Sequence, residues 1–361
     1  MILRDRVAQR TAALDSAGLL RRLHPPAGID LSSNDYLGLS QHPLIKQRMA
    51  EAVLREGCGS TGSRLLRGER ESLSAIERRF AGFKGTEAAL YFANGYMANL
   101  AVLSTFPEAG DVVYSDALNH ASLIDGIRLS RARKVVFPHC HPPEPDACDG
   151  QTFLVTESVF SMDGDFAPLQ EYARGGSALI VDEAHAVGVF GERGSGLSDP
   201  FISTNPMGKA FGAAGAFVCG PRWAIDYLIQ RARPFIFSTA PPPPMAAALD
   251  AALDLVEDGS EMRERLLHLA GFLRGLLADA GFDVARDGSQ IIPLLIGDNF
   301  EAARIAASLQ NAGFDVRAIR PPTVPEGTAR LRISVNANLS EEILRRFTSA
   351  LKNAVARKSA A

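Results

Sequence analysis

The sequence predicts an α/β protein: a large domain on a mostly parallel sheet flanked by helices, a smaller C-terminal α+β domain, and an N-terminal arm. Three observations carry this expectation. Between about residues 45 and 240, helical segments alternate with short apolar runs, the pattern of strand–crossover–strand units. The tract Pro241-Pro242-Pro243-Pro244 is the sharpest compositional break in the chain. At 361 residues the chain is long enough for two domains. The expected divisions are an arm and strand over 1–44, a large domain over 45–240 and a small domain over 241–361.

In chain order, Leu3, Val7, Leu14 and Leu19-Leu20 supply an apolar face for a helix over 1–24, stopped by Pro25-Pro26-Ala27-Gly28. A strand at 29–33 and a turn at 34–38 follow. Apolar runs at 88–92, 112–114, 134–137, 152–156 and 178–181 read as the strands of the large domain. After the prolines come a helical stretch to about 277, a strand at 291–296, a helix at 300–312, and strands at 314–317 and 329–335.

Composition excludes several function classes. Lys plus Arg total 38 against 41 Asp plus Glu, so no positive field favours nucleic acid. No apolar run approaches the roughly 18 residues of a membrane span. The start Met1-Ile2-Leu3-Arg4-Asp5-Arg6 lacks the apolar core of a secretory signal, so a cytoplasmic protein is expected. Cys58, Cys140, Cys148 and Cys219 stand in unlike contexts, against a disulfide framework. His139-Cys140-His141 with Cys148 imitates a zinc site, but Pro142, Pro143 and Pro145 mark a loop, and no metal is expected.

The chemistry is read from one pair. Asp182 ends the apolar run 178–181, and Lys209 follows 27 residues later in Gly208-Lys209-Ala210-Phe211-Gly212. A carboxylate at a strand end and a lysine on a glycine-flanked loop are what pyridoxal phosphate needs. The acid keeps the pyridinium nitrogen protonated, and the lysine carries the aldehyde as a Schiff base. Taken singly, each residue reads more simply as a surface charge or a turn former. Other loops after strands add to the pair. Asn94-Gly95-Tyr96 opens a helix whose free N–H groups can cradle a phosphate. His120 stands at another strand-to-helix junction, where it can stack on a flat ring. Ser161 and His185 can bond a ring oxygen.

These residues lie in motifs that extend along nearly the whole chain. They include Ser33-Asn34-Asp35-Tyr36-Leu37-Gly38, Gly59-Ser60-Thr61-Gly62-Ser63-Arg64, Asn119-His120-Ala121-Ser122, Phe160-Ser161-Met162-Asp163-Gly164-Asp165, Asp182-Glu183-Ala184-His185, Phe237-Ser238-Thr239 and Arg320-Pro321-Pro322-Thr323 through Arg332. The chain resembles the α-oxoamine synthases, pyridoxal phosphate enzymes of the aspartate aminotransferase fold (fold type I). The segment from Arg320 to Arg332 favours the branch that joins L-alanine to a pimeloyl thioester, with loss of carbon dioxide and a free thiol. The alternatives are a glycine- or serine-using member with another acyl thioester, and a catalytically idle homologue.

The resemblance implies Lys209 as the Schiff-base lysine, Asp182 at the ring nitrogen, His120 on the ring face, and Ser161 and His185 at the ring hydroxyl. It implies Asn94, Gly95 and Tyr96 at the phosphate, with Ser238 or Thr239 supplied by the second subunit of a homodimer. It implies Arg332 at the amino-acid carboxylate, and Arg21 and Asn34 toward the substrates. Pro206 stands where the family usually has a phosphate-binding threonine, with Asn205 or Thr204 available to stand in, and Leu73 replaces a common histidine. The stretch between Gly194 and Lys209 is short against the family, which predicts a reduced strand before the lysine.

Overall fold

The computed structural model describes residues 2–141 and 150–356, so the expectations that fall on Pro142, Pro143, Pro145 and Cys148 lie outside the described residues. The chain runs α1 (Leu3–Ser16), β1 (Ile29–Asp30), α2 (Pro43–Glu56), α3 (Glu71–Lys84), β2 (Ala88–Phe92), α4 (Gly95–Leu103), β3 (Val112–Asp116), α5 (Ala121–Leu129), β4 (Arg133–Phe137), β5 (Thr152–Glu157), α6 (Leu169–Arg174) and β6 (Ala178–Asp182). It continues through β7 (Ile202–Pro206), β8 (Ala216–Gly220), α7 (Arg222–Arg231), α8 (Arg233–Ile236), α9 (Pro244–Glu257), α10 (Ser260–Asp279), β9 (Ile291–Gly297), α11 (Asn299–Asn311), β10 (Phe314–Asp315), β11 (Arg317–Ile319), β12 (Ala329–Ser334) and α12 (Glu341–Ala356). No helix among the described residues is long and apolar enough to cross a membrane.

The described residues fall into two compact units. The larger holds Asp35–Ser161 and Asp165–Glu264; the smaller holds the residues up to Asn34, Met162–Gly164 and those from Arg265 onward. The arm therefore groups with the C-terminal residues, and the boundary falls after 264 where the sequence reading puts it at 240. The proline tract starts a helix instead of ending a domain: Pro244 sits in the first turn of α9, where its missing N–H costs nothing. Buried Leu249, Leu253 and Val256 then hold α9 in the larger unit.

The larger unit is built on a seven-stranded sheet in the order β2-β8-β7-β6-β5-β3-β4. β4, β3, β5, β6 and β7 run parallel, and β8 lies antiparallel between β7 and β2. Both faces are covered. Val113, Val155, Ile180 and Val218 point into one buried cluster, and Tyr114, Leu154, Leu179 and Val181 into another, so the strands read as unbroken apolar runs. The register sets Glu157 beside Asp182 at the carboxyl ends of β5 and β6, and Asp182 beside Thr204 in the middle of β7. In the smaller unit β11, β12 and β9 form an antiparallel sheet, and β1 pairs in parallel with β10.

Several expectations change. The first helix ends at Ser16, not near 24, because Gly18 adopts φ +66° and its N–H turns back to Asp15 O while Leu19 N–H reaches Leu14 O. None of its residues is buried; Leu3, Val7 and Leu14 stay exposed, too few among polar neighbours to form an apolar stripe. β7 keeps five residues, so the strand before Lys209 is not reduced. Glu183 secures the short segment ahead of it: its buried carboxylate accepts the N–H of Leu197 (3.2 Å) and Ser198 (2.9 Å) and the hydroxyl of Ser158 (2.8 Å).

Candidate active site

Asp182 is the last residue of β6 and is 4 % exposed. Its Oδ2 accepts a hydrogen bond from Asn99 Nδ2 at 2.7 Å, and its Oδ1 accepts Ala184 N–H at 2.9 Å. Asn99, on α4, also donates to Ser122 Oγ (2.9 Å), and that hydroxyl lies 2.7 Å from His120 Nδ1. A buried polar relay thus links the carboxylate to His120, and the relay fixes the orientation of both. Lys209, half-buried, follows β7 on a turn closed by the bond from Gly212 N–H to Lys209 O (2.8 Å).

Asp182 and Lys209 both act on His120. His120 is an exposed residue, yet its pKa is held below the ordinary value. Desolvation is the largest cause and the Lys209 ammonium adds to it, against the opposing pull of Asp182. Glu157, at the end of β5, accepts His120 N–H at 2.7 Å. Burial, reinforced by the neighbouring Asp182 carboxylate, pushes the Glu157 carboxyl up to about 8, against the opposing effects of the His120 N–H and Lys209. Neither Glu157 nor Asn99 was singled out in the sequence. The available signal was a carboxylate at the end of an apolar strand, the same one that marked Asp182.

The start of α4 presents open N–H groups. Asn94 caps it, Oδ1 accepting Met97 N–H at 2.8 Å, which leaves the N–H groups of Gly95 and Tyr96 at the first two helical positions without intrahelical acceptors. A Cβ on Gly95 would lie 2.6 Å from Pro206 Cγ, so only glycine lets helix and strand meet this closely. The Tyr96 ring stands 6.4 Å from that of His120, and its hydroxyl donates to Asp125. Ser238 and Thr239 line a small cavity with Tyr91, Phe92, Ala93 and Met97. Thr204 and Asn205, the residues available to stand in for the missing threonine, lie in β7. Both are fully buried, and the Asn205 amide donates to Ser203 Oγ (3.0 Å) and Phe217 O (3.3 Å).

His185 is buried with Nδ1 2.6 Å from the Tyr36 hydroxyl, and half-buried Ser161 follows β5, its N–H directed at Glu157. Leu73 is a fully buried core residue. The larger unit therefore gathers His120, Asp182 and Lys209 and carries Asn94, Gly95, Tyr96, Ser161, His185, Ser238 and Thr239. Arg332, Asn34 and Arg21 belong to the smaller unit. There Arg332 lies buried within β12 with NH1 2.7 Å from Ser334 Oγ, Asn34 is half-buried, and exposed Arg21 donates to Pro321 O at 3.2 Å.

A primary amine beside a buried carboxylate and an imidazole, next to a helix start with open N–H groups, suits an aromatic aldehyde that bears a ring nitrogen and a phosphate. Pyridoxal phosphate fits this donor set: Lys209 for the aldehyde, Asp182 for the ring N–H, His120 for the ring face, and Gly95 with Tyr96 for the phosphate.

A family model, aminotransferase class I and II, matches residues 26–351. The chain is 44% identical over 362 residues to the 8-amino-7-oxononanoate synthase of Anaeromyxobacter sp. (strain K), covering 92% of this chain and 91% of that one. A solved 8-amino-7-oxononanoate synthase from Francisella tularensis is similar with a TM-score of 0.80 and 31% identity, over 92% of this chain and 99% of that one. A lysine-to-alanine variant of the serine palmitoyltransferase of S. paucimobilis, with a bound PLP–myriocin aldimine, is similar with a TM-score of 0.89 and 28% identity, over 99% and 98%.

Proposed function

The chain belongs to the class I and II aminotransferase family, and from that premise we propose that it condenses L-alanine with a pimeloyl thioester to give 8-amino-7-oxononanoate, carbon dioxide and a free thiol, a step of biotin biosynthesis. It is a pyridoxal phosphate-dependent acyltransferase. In balance, the alanine Cα–H bond breaks and Cα bonds to the thioester carbonyl carbon; the C–S bond breaks and the thiol leaves; the Cα–carboxylate bond breaks and carbon dioxide leaves; a proton returns to Cα.

The bound cofactor supplies an electron-accepting ring and an aldehyde that condenses with amines. The chain's residues supply the rest. Asp182, oriented by Asn99 and the Ala184 N–H, holds the ring nitrogen protonated. Lys209 would hold the cofactor's aldehyde, and its amine would serve as the base for the alanine Cα proton. His120 covers the ring face, Ser161 and His185 hold the ring hydroxyl, and Asn94 shapes the helix start at which Gly95 and Tyr96 hold the phosphate. Arg332, with its planar fork, grips the alanine carboxylate, and Arg21 and Asn34 serve the substrate side. Half-buried Ser238 and exposed Thr239 complete the phosphate site of a second copy of the chain in a homodimer. The free thiols of Cys58 and Cys219 among the described residues suit the reducing cytoplasm in which we place the enzyme.

The observation that carries this reading is Lys209 on the turn after β7, close enough to His120 for its charge to act on the imidazole, on which Asp182 acts as well. Lys209→Ala tests it: thiol release from pimeloyl thioester and alanine is expected to fall by at least about 10³-fold, the scale of losing a covalent nucleophile. Full turnover in that variant defeats the role of Lys209, whereas a wild-type protein without turnover favours the idle homologue. The serine-using alternative draws on backbone similarity, a TM-score of 0.89 against 0.80. Sequence identity points to alanine, 44% against 28%. Carbon dioxide release measured with alanine, glycine and serine in turn separates them.

A further inference from the structure

His139 lies outside the group of side chains that face the cofactor, yet both of its ring nitrogens meet carboxylates: Nδ1 is 2.9 Å from Asp116 Oδ1 and Nε2 is 2.8 Å from Asp165 Oδ2. Asp116 is the last residue of β3 and its side chain is fully buried. Its carboxylate also accepts the N–H groups of Leu118 (2.8 Å) and Cys140 (2.9 Å), and its carbonyl accepts Asn119 N–H (3.2 Å). Asp116 therefore shapes the turn that delivers His120. Asp165 closes the segment that presents Ser161: its carbonyl accepts Phe160 N–H at 3.0 Å, beside an antiparallel bridge between Val159 and Phe166. The Phe160 ring meets the His139 ring edge-on at 4.4 Å.

With a carboxylate oxygen at each nitrogen, each nitrogen must carry a proton, and the ring is an imidazolium. Burial acts to lower its pKa, but the bonds to Asp116 and Asp165 outweigh burial and raise it to about 10. For Asp116 burial acts upward, and the bonds from His139 and the Cys140 N–H hold the carboxyl below its ordinary range. Among the described residues, Cys140 Sγ lies 3.5 Å from Nε2, and the hydroxyl of Tyr172 is pushed upward by burial, with Asp116 and Cys140 adding to the effect. Asp116, His139 and Cys140 do offer atoms within 4.8 Å of one another. Ligating a cation needs a histidine lone pair, and both nitrogens are committed as donors.

We propose that His139 is a positioning residue for the reaction above: bonded to Asp116 on one side and Asp165 on the other, it holds the turn bearing His120 and the loop bearing Ser161 at the separation the cofactor ring requires. The proposal rests on the pyridoxal phosphate reading. It is tested in the full-length protein with His139→Gln, Asp165→Asn and the double variant. The readouts are pyridoxal phosphate affinity of the apoprotein by equilibrium dialysis, the pH midpoint of the bound cofactor's visible band, KM for alanine, and the thermal midpoint of the apoprotein.

His139→Gln removes a charge-assisted bond on each side, and its affinity is expected to fall about 10- to 100-fold. The band midpoint moves as the ring oxygen loses its neighbour, and KM for alanine stays within about twofold, as expected when uniform substrate binding is untouched. The double variant adds little to His139→Gln. A lowered thermal midpoint with unchanged affinity and unchanged band overturns the proposal. Should His139→Gln not fold, Asp165→Asn decides alone, since the Asp165 side chain is 46 % exposed and its loss leaves the core intact. Affinity lowered about tenfold supports the clamp, and wild-type affinity removes it. A wild-type protein that fails to bind pyridoxal phosphate marks failure of the functional reading instead.

Discussion

Gly95→Ala places a methyl carbon 2.6 Å from Pro206 Cγ and 3.1 Å from Pro206 Cβ. Unstrained carbon pairs stand roughly 3.5–4.0 Å apart, so relief needs a shift of about 1 Å. Pro206 cannot supply it, because its φ is fixed by the ring and it is held in β7 opposite Ala216 of β8. The start of α4 must move instead, carrying the N–H groups of Gly95 and Tyr96 off the phosphate. Overpacking of this kind costs about 1–3 kcal/mol, which corresponds to roughly 5- to 150-fold in affinity if it falls on the bound state. Pyridoxal phosphate titration of the apoprotein, followed by absorbance, measures it. Pro206→Ala in the Gly95→Ala background removes the closest atom and is expected to restore most of the affinity. Gly275→Ala in α10, where an added Cβ meets nothing within 4 Å, is the control and leaves affinity unchanged. Wild-type affinity in Gly95→Ala, or no rescue by Pro206→Ala, refutes the cradle geometry.

Three further perturbations follow from the buried charges. The raised Glu157 pKa means that the native state holds this proton more tightly than the unfolded chain. Its stabilisation is complete below the ordinary carboxyl range and is lost as pH rises toward about 8, so Glu157→Gln, which keeps an acceptor for His120 N–H, is expected to flatten the fall in stability between these limits; an unchanged slope in urea unfolding contradicts the shift. Arg64 bonds Glu77 (3.0 Å) and Glu69 (2.9 Å) from a side chain 7 % exposed, and Arg64→Met strands the buried Glu77 carboxylate at a cost of about 3–5 kcal/mol, whereas a loss below about 1 kcal/mol refutes the pairing. Arg332→Lys loses the two-pronged grip on a carboxylate and is expected to raise KM for alanine by about tenfold or more, with KM for the thioester unchanged; equal effects on both substrates reject that role.

Much of the larger unit was legible because its strands are buried on both faces. Runs such as 88–92 and 178–181 need no alternation to be recognised, and the turn chemistry around them is strong. β8 is not marked by the sequence, since Ala216–Gly220 is a short run bounded by Gly215 and Gly220, and its antiparallel partner β2 lies far off in sequence. α12 was also passed over, although Leu344, Phe347 and Leu351 recur at helical spacing and are buried. The first helix was read too long because Pro25 is a conspicuous stop, while Gly18 ends it through a C-terminal turn that a single glycine signals weakly.

For the site, Asp182 and Lys209 announce themselves through strand ends and glycines. The relay from Asp182 through Asn99 and Ser122 to His120 does not, because Asn99 and Asp182 stand 83 residues apart and meet only once α4 packs on the sheet. His139 was weighed in the sequence as a metal ligand, since its neighbours there are Cys140 and His141. Its partners in space are two carboxylates from other segments, and the change of partners changes its chemistry.

The central claim is a covalent link between the Lys209 amine and pyridoxal phosphate. Reconstituted protein, reduced with borohydride, digested and weighed by mass spectrometry, tests it most directly. The account predicts a phosphopyridoxyl adduct on the peptide that contains Lys209. An unmodified Lys209 peptide, or an adduct carried by another lysine such as Lys84, contradicts it.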